Sequence, residues 1–128
     1  MPPCPRPIFV VDDDTAIRDT LADLLSDEGY DVRTAKNGQD ALRQLRQNGA
    51  PKPCLILLDL MMPVMTGPQF YAEQQRDPEL SVIPVVVISA DGNVRQKALP
   101  AGGEVLAKPL RIERVLEVVE RHCRTDAD

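Results

Sequence analysis

The chain has 128 residues, 43% of them hydrophobic and 27% charged, with a formal net charge of −5. That length suits one domain with a real core and is too short for two. No apolar run approaches the ~20 residues of a membrane span, and the start, Met1-Pro2-Pro3-Cys4-Pro5-Arg6-Pro7, has no apolar signal region, so a cytoplasmic protein without a membrane partner is expected. The charge is uneven: eight acids lie between Asp12 and Asp31 against the single base Arg18, which argues against nucleic acid as a direct partner. Cys4, Cys54 and Cys123 are odd in number and show no C-x-x-C spacing. Neither a disulfide framework nor a zinc site is expected from them, and Cys54 and Cys123 read as small core or near-surface residues.

The predicted elements alternate in type. Ile8-Phe9-Val10-Val11 is an apolar run of strand length that leads straight into Asp12-Asp13-Asp14. Asp14 or Thr15 then caps a helix whose apolar face is Ile17, Leu21, Leu24 and Leu25, and Gly29 ends it. A weaker strand at 31–35 precedes a second helix, from about Gly38 behind Asn37 as cap, through Ala41, Leu42 and Leu45 to Gly49. Leu55-Ile56-Leu57-Leu58 ends in Asp59, and Thr66-Gly67-Pro68-Gln69 is a capping-box start for a helix carrying Phe70 and Tyr71. Val85-Val86-Val87-Ile88 ends in Ser89, and a weaker run at 104–107 ends at Lys108-Pro109; Pro100 should cut the intervening helix short. The last helix carries Ile112, Val115, Leu116, Val119 and Cys123 as one stripe, with Glu117 and Arg121 spaced to pair.

Five strand–helix repeats imply an α/β fold in which a parallel sheet is covered by helices on both faces. In such sheets the ligand crevice lies beyond the carboxyl ends of the strands. Asp12, Asp13, Asp59, Ser89 and Lys108 all fall at those ends. Carboxylates crowded there need a cation, since each like-charged pair at ~4 Å costs about 4 kcal/mol at an effective dielectric near 20. Oxygen-only ligands without histidine select a hard ion, and Mg²⁺ fits best. A carboxylate such as Asp59 can attack phosphorus to form an acyl phosphate, while the Lys108 ammonium and Ser89 hydroxyl meet the phosphoryl oxygens.

These motifs resemble the response-regulator receiver domain of two-component signalling, in its stand-alone, chemotaxis-regulator-like form. The matching segments are Phe9-Val10-Val11-Asp12-Asp13-Asp14, Leu57-Leu58-Asp59-Leu60-Met61-Met62-Pro63-Val64-Met65-Thr66-Gly67, Val87-Ile88-Ser89-Ala90 and Lys108-Pro109. The resemblance implies a flavodoxin-like, doubly wound (βα)5 three-layer sandwich with a parallel five-stranded sheet ordered 2-1-3-4-5. It implies a receiver domain over 7–123, with 1–6 and 124–128 as flexible termini. It implies that Asp59 accepts phosphate from a sensor histidine kinase or histidine phosphotransfer protein, and that Asp13, Asp59 and the Met61 backbone carbonyl ligate Mg²⁺ while Asp12 acts mainly through water. Ser89 would be the hydroxyl switch, Lys108 would pair with the phosphoryl group ahead of a cis Pro109, and Asp14 would cap the first helix. Output would pass to a downstream protein target. The domain would be no enzyme in the ordinary sense, though it would catalyse its own phosphotransfer and autodephosphorylation.

Three departures from the family pattern concern output: Val105 stands where an aromatic residue is usual, Leu110 follows Lys-Pro where Phe is common, and the stretch between Ala90 and Lys108 is somewhat shorter than usual. They keep open a phosphate-independent scaffold as the alternative. An enzyme reading also exists, because Asp12-Asp13-Asp14-Thr15 superficially resembles the start of haloacid-dehalogenase-like phosphatases, with Asp12 as nucleophile. The fifth place is Ala16 instead of Thr or Val, and a late acidic pair after the lysine is missing.

Overall fold

Residue alternation along the first strand, β1 (Ile8–Val11), divides the core in two. Successive side chains of a strand point to opposite faces. Ile8 and Val10 join Leu21, Leu25, Leu55, Leu57, Val115 and Val119 on one face, while Phe9 and Val11 join Ala41, Leu42, Leu45, Ile56, Leu58 and Phe70 on the other. A computed structural model describes residues 6–47, 52–59, 67–89, 104–107 and 111–123. Within them β1 is followed by α1 (Thr15–Asp27), β2 (Val32–Ala35), α2 (Gly38–Leu45), β3 (Leu55–Asp59), α3 (Gly67–Gln75), β4 (Val85–Ser89), β5 (Glu104–Ala107) and a last helix, α4 (Ile112–Cys123). The expected helix between Ser89 and Pro100 lies outside the described residues.

The sheet is parallel and five-stranded, in the order β2-β1-β3-β4-β5 expected from the resemblance. β1 and β3 are neighbours in register, Ile8 beside Leu55 and Val11 beside Leu58, so the residues that follow both strands emerge side by side. Because β1 is also flanked by β2, the chain winds outward from it in both directions, and the switch point opens above β1 and β3. Helices α1 and α4 cover one face and α2 and α3 the other, which buries both sides of β1 and β3 and explains why those runs are apolar throughout.

Local chemistry sets the helix ends. The Asp14 carboxylate accepts from the N–H groups of Ala16 and Ile17 and starts α1. Gly29, at φ 96°, ends it: the Gly29 N–H donates to the Ser26 carbonyl and the Tyr30 N–H to Leu25, the paired bonds of a left-handed helix stop. Asn37 caps α2 through the Asp40 N–H. α2 ends at Leu45, with Arg46 as its last cap, four residues short of the sequence expectation at Gly49, which lies outside the described residues. Two details of the last helix differ from the stripe read off the sequence. Ile112 is 55% exposed and Val118 is fully buried, so the packed stripe runs through Val115, Val118, Val119 and Cys123; Glu117 also pairs with Arg114 one turn before it.

The described cysteines also depart from expectation. Cys54, just before β3, and Cys123, the last residue of α4, are joined by a disulfide with Cα atoms 5.4 Å apart. Nothing local announces such a pair, since 69 positions separate the two residues and only the fold brings them together.

Candidate functional site

Three acids meet above the switch point. β1 hands the chain to Asp12, which is fully buried, and then to the exposed Asp13; β3 ends in Asp59, which is buried. One carboxylate oxygen from each lies within 4.8 Å of the others. The β1–β3 register brings Asp12 and Asp59 side by side, because Val11 is level with Leu58 and the next residue along each strand is an aspartate; Asp13 follows in the turn toward α1.

The surroundings hold the Asp12 main chain from several sides. Its N–H donates to the Ala35 carbonyl of β2 at 3.2 Å, and its Oδ1 accepts the Asp14 N–H at 2.9 Å, folding the turn that leads into α1. The Arg18 guanidinium donates to the Asp12 carbonyl at 2.8 Å and to Thr15 Oγ1 at 3.3 Å. Asp14 is occupied by its helix cap, as expected, and takes no part in the acidic group. The start of α1 adds the positive end of a helix dipole to the site, which offsets part of the repulsion among the acids.

Two buried carboxylates and an exposed one, converging with oxygen donors only, are chemically suited to a hard divalent cation. The exposed Asp13 leaves an approach from solvent, as an ion that keeps several of its waters needs. Among the other residues expected at the site, Ser89 ends β4 level with Ala107 of β5, so its backbone stands at the same carboxyl edge. Lys108 and Met61 lie outside the described residues, as do Pro109 and Leu110; Val105 is level with Val87 in the sheet.

A depression of about 610 Å³ lies between α2 and α3 and is lined among others by Lys36, Asp40, Arg43, Arg46 and Glu73. Several of its charges are paired: Arg43 with Asp40, and Arg46 with Glu73 and with Asp77 nearby. It offers no convergent group comparable to the three acids. Among the described residues no helix is long and apolar enough to cross a membrane.

Comparison with known proteins agrees with this geometry. Residues 8–120 match the family model for the response regulator receiver domain. The chain is 31% identical over 118 residues to protein PilG of Pseudomonas aeruginosa, covering 90% of this chain and 85% of that one. It is also 31% identical over 123 residues to a CpxR homolog, a transcriptional regulatory protein of Haemophilus influenzae; that match covers 94% of this chain but only 51% of the relative, so the chain spans about half of its length. Among solved structures, the chemotaxis protein CheY4 of Vibrio cholerae superposes with a TM-score of 0.80 at 28% identity, covering 91% of this chain and 98% of that one. With its parallel sheet, its strand order and its acidic group at the switch point, the chain belongs to the family of response regulator receiver domains, signalling phosphoacceptors of two-component systems.

Proposed function

We propose that this receiver domain, spanning 7–123, takes a phosphoryl group onto Asp59 from a sensor histidine kinase or a histidine phosphotransfer protein in the cytoplasm, and signals through altered binding to a downstream protein. The observation that carries this reading is the convergence of Asp12, Asp13 and Asp59 within 4.8 Å at the carboxyl ends of two adjacent strands. In the reaction an Asp59 carboxylate oxygen bonds to phosphorus as the phosphorus–nitrogen bond to the donor imidazole breaks, and the departing nitrogen takes up a proton. The site residues balance the charge of that transfer. Asp13, Asp59 and the Met61 carbonyl would hold Mg²⁺, with Asp12 acting through water. The ion supplies electrostatic stabilisation of the phosphoryl oxygens when bound. Lys108 would neutralise a further oxygen, and Ser89 would donate a hydrogen bond to the group once it is in place. Hydrolysis of the acyl phosphate by water in the same site would end the signal.

The burial of Asp59 supports its role as acceptor, because a carboxylate shielded from bulk water is less solvated and better held for in-line attack. With Mg²⁺ and acetyl phosphate the protein should gain a single acid-stable, base-labile phosphoryl group. Asp59→Asn should gain none, and undiminished labelling of that variant would overturn the assignment. Label found on Asp12 instead would favour the phosphatase-like alternative.

A further inference from the structure

A second chemical site lies at the opposite end of β3 from Asp59. Cys54 immediately precedes the strand and Cys123 closes α4; they are 5% and 1% exposed, and they are disulfide-bonded. The two partners are held very differently. Around Cys54 the backbone is anchored from several directions: the Cys54 N–H donates to the Pro7 carbonyl at 2.9 Å, and the Arg6 guanidinium donates to the carbonyls of Lys52 and Pro53 at 3.1 and 2.7 Å. Cys123 instead sits on the last turn of a helix, where backbone hydrogen bonds are fewest and fraying is easiest. The pocket also suits the reduced state, because the Cys54 sulfur lies 3.6 Å from the Arg6 carbonyl, where a thiol S–H finds an acceptor.

We propose that Cys54 and Cys123 form a reversible thiol–disulfide site, a redox-sensitive clasp that locks the end of α4 onto the first residue before β3, separate from the phosphoryl chemistry. The oxidant is a small-molecule or protein disulfide. A thiolate of the pair, uncovered when the last turn of α4 frays, attacks one sulfur of that disulfide and expels the other as a thiolate. The second cysteine then attacks the protein sulfur of the mixed disulfide and releases the remaining half. Two protein thiols thereby lose two protons and two electrons, and the oxidising disulfide becomes two thiols. Reduction runs the same exchange backwards. Burial slows direct oxidation of either thiol by solvent species, so opening of the helix end, rather than sulfur reactivity, sets the rate.

The clasp stands or falls apart from the phosphoacceptor reading, because Cys54 and Asp59 are five residues apart on one extended strand, roughly 16 Å. The test uses the full chain carrying Cys4→Ser, equilibrated with reduced and oxidised glutathione in varied ratio, then trapped by alkylation and mapped by mass spectrometry. The expected result is that Cys54 and Cys123 lose alkylation together, appear in one linked peptide, and raise Tm by about 10 °C in the oxidised form. Amide exchange at residues 119–123 should slow on oxidation, while phosphoryl uptake from acetyl phosphate stays within about twofold. Adding Cys123→Ala should remove the redox dependence of Tm. Two thiols that remain independently alkylatable in fully oxidised buffer would overturn the proposal. So would a Tm that does not respond to redox state, or one that still responds in the Cys123→Ala chain.

Discussion

Asp13 would serve two purposes that pull in opposite directions. As the exposed member of the acidic group it would give a cation its route in, yet without a cation it adds like charge to the buried Asp12 and Asp59. Asp13→Ala should therefore weaken Mg²⁺ binding by tenfold or more, about 1.4 kcal/mol, and raise the stability of the metal-free protein by roughly 1 kcal/mol. Isothermal titration and metal-free thermal melts check the two halves; unchanged affinity would remove Asp13 from the metal site. Arg18 works on the main chain instead. Arg18→Met keeps the apolar stem but loses the guanidinium bond to the Asp12 carbonyl, which should cost about 1.5 kcal/mol and lower Tm by about 5 °C. An unchanged melt would show that the turn into α1 is held without it. At this scale the acids were legible in the sequence, because an aspartate that directly follows an apolar strand has no surface to hide on and must face a site. Arg18 was visible only as a lone base among acids, since a bond to a backbone carbonyl leaves no trace in side-chain pattern.

The elements themselves followed from periodicity wherever one face is buried and the other is not. β1 and β3 were readable as continuous apolar runs because helices cover both of their faces, and α1 because its cap and its glycine stop are both spelled out in residue type. Gln74 was not readable: it is fully buried on α3, and its amide donates to the carbonyls of Leu80 and Ile83 at 2.8 and 3.0 Å, pinning the turns that lead into β4. A polar residue on a helix ordinarily reads as solvent-facing, and only the loop folded beneath it makes it a core residue. Gln74→Met, similar in volume but unable to donate, should cost about 2 kcal/mol and loosen residues 76–84, seen as faster amide exchange there. Helix α2 carries a pH-dependent contact. Partial burial would raise the Asp40 carboxyl, but the bonds it accepts from Arg43 and the Lys36 N–H outweigh that and hold it below its ordinary value of 3.8. A depressed folded pKa means the contribution is fully present above the unfolded value and lost as pH falls through the folded one. Asp40→Asn should thus cost about 0.5–1 kcal/mol at neutral pH, and the difference from the parent protein should shrink below about pH 4. A gap that does not shrink at all as pH falls through the acid range would mean that the carboxylate charge is not what stabilises the start of α2.

Across the whole molecule, β3 runs from a covalent clasp at one end to an anionic site at the other, and the two act on stability by different means. A ligand that binds only the folded state stabilises it by mass action, about 2.7 kcal/mol at a hundredfold excess over Kd, so saturating Mg²⁺ should raise Tm by about 10 °C and a chelator should reverse it. The Asp13→Ala chain should lose most of that response. The disulfide closes a loop spanning 69 residues, which restricts the unfolded chain and is worth on the order of 3–4 kcal/mol whether or not a cation is bound. Effects at sites more than 7–10 Å apart without shared partners usually add to within about 0.5 kcal/mol. The clasp and the acids meet the distance part of that condition through the length of β3, although both lean on the same core: Leu55 and Leu57 of that strand pack against Val115, Val118 and Val119 of α4. Four melts, oxidised and reduced, each with Mg²⁺ and with chelator, should therefore give a Mg²⁺ shift that is the same in both redox states. A Mg²⁺ shift that differs between oxidised and reduced protein by more than about 1 kcal/mol would show that β3 and α4 transmit strain between the two ends, and that redox state tunes the affinity of the phosphoryl site for its metal.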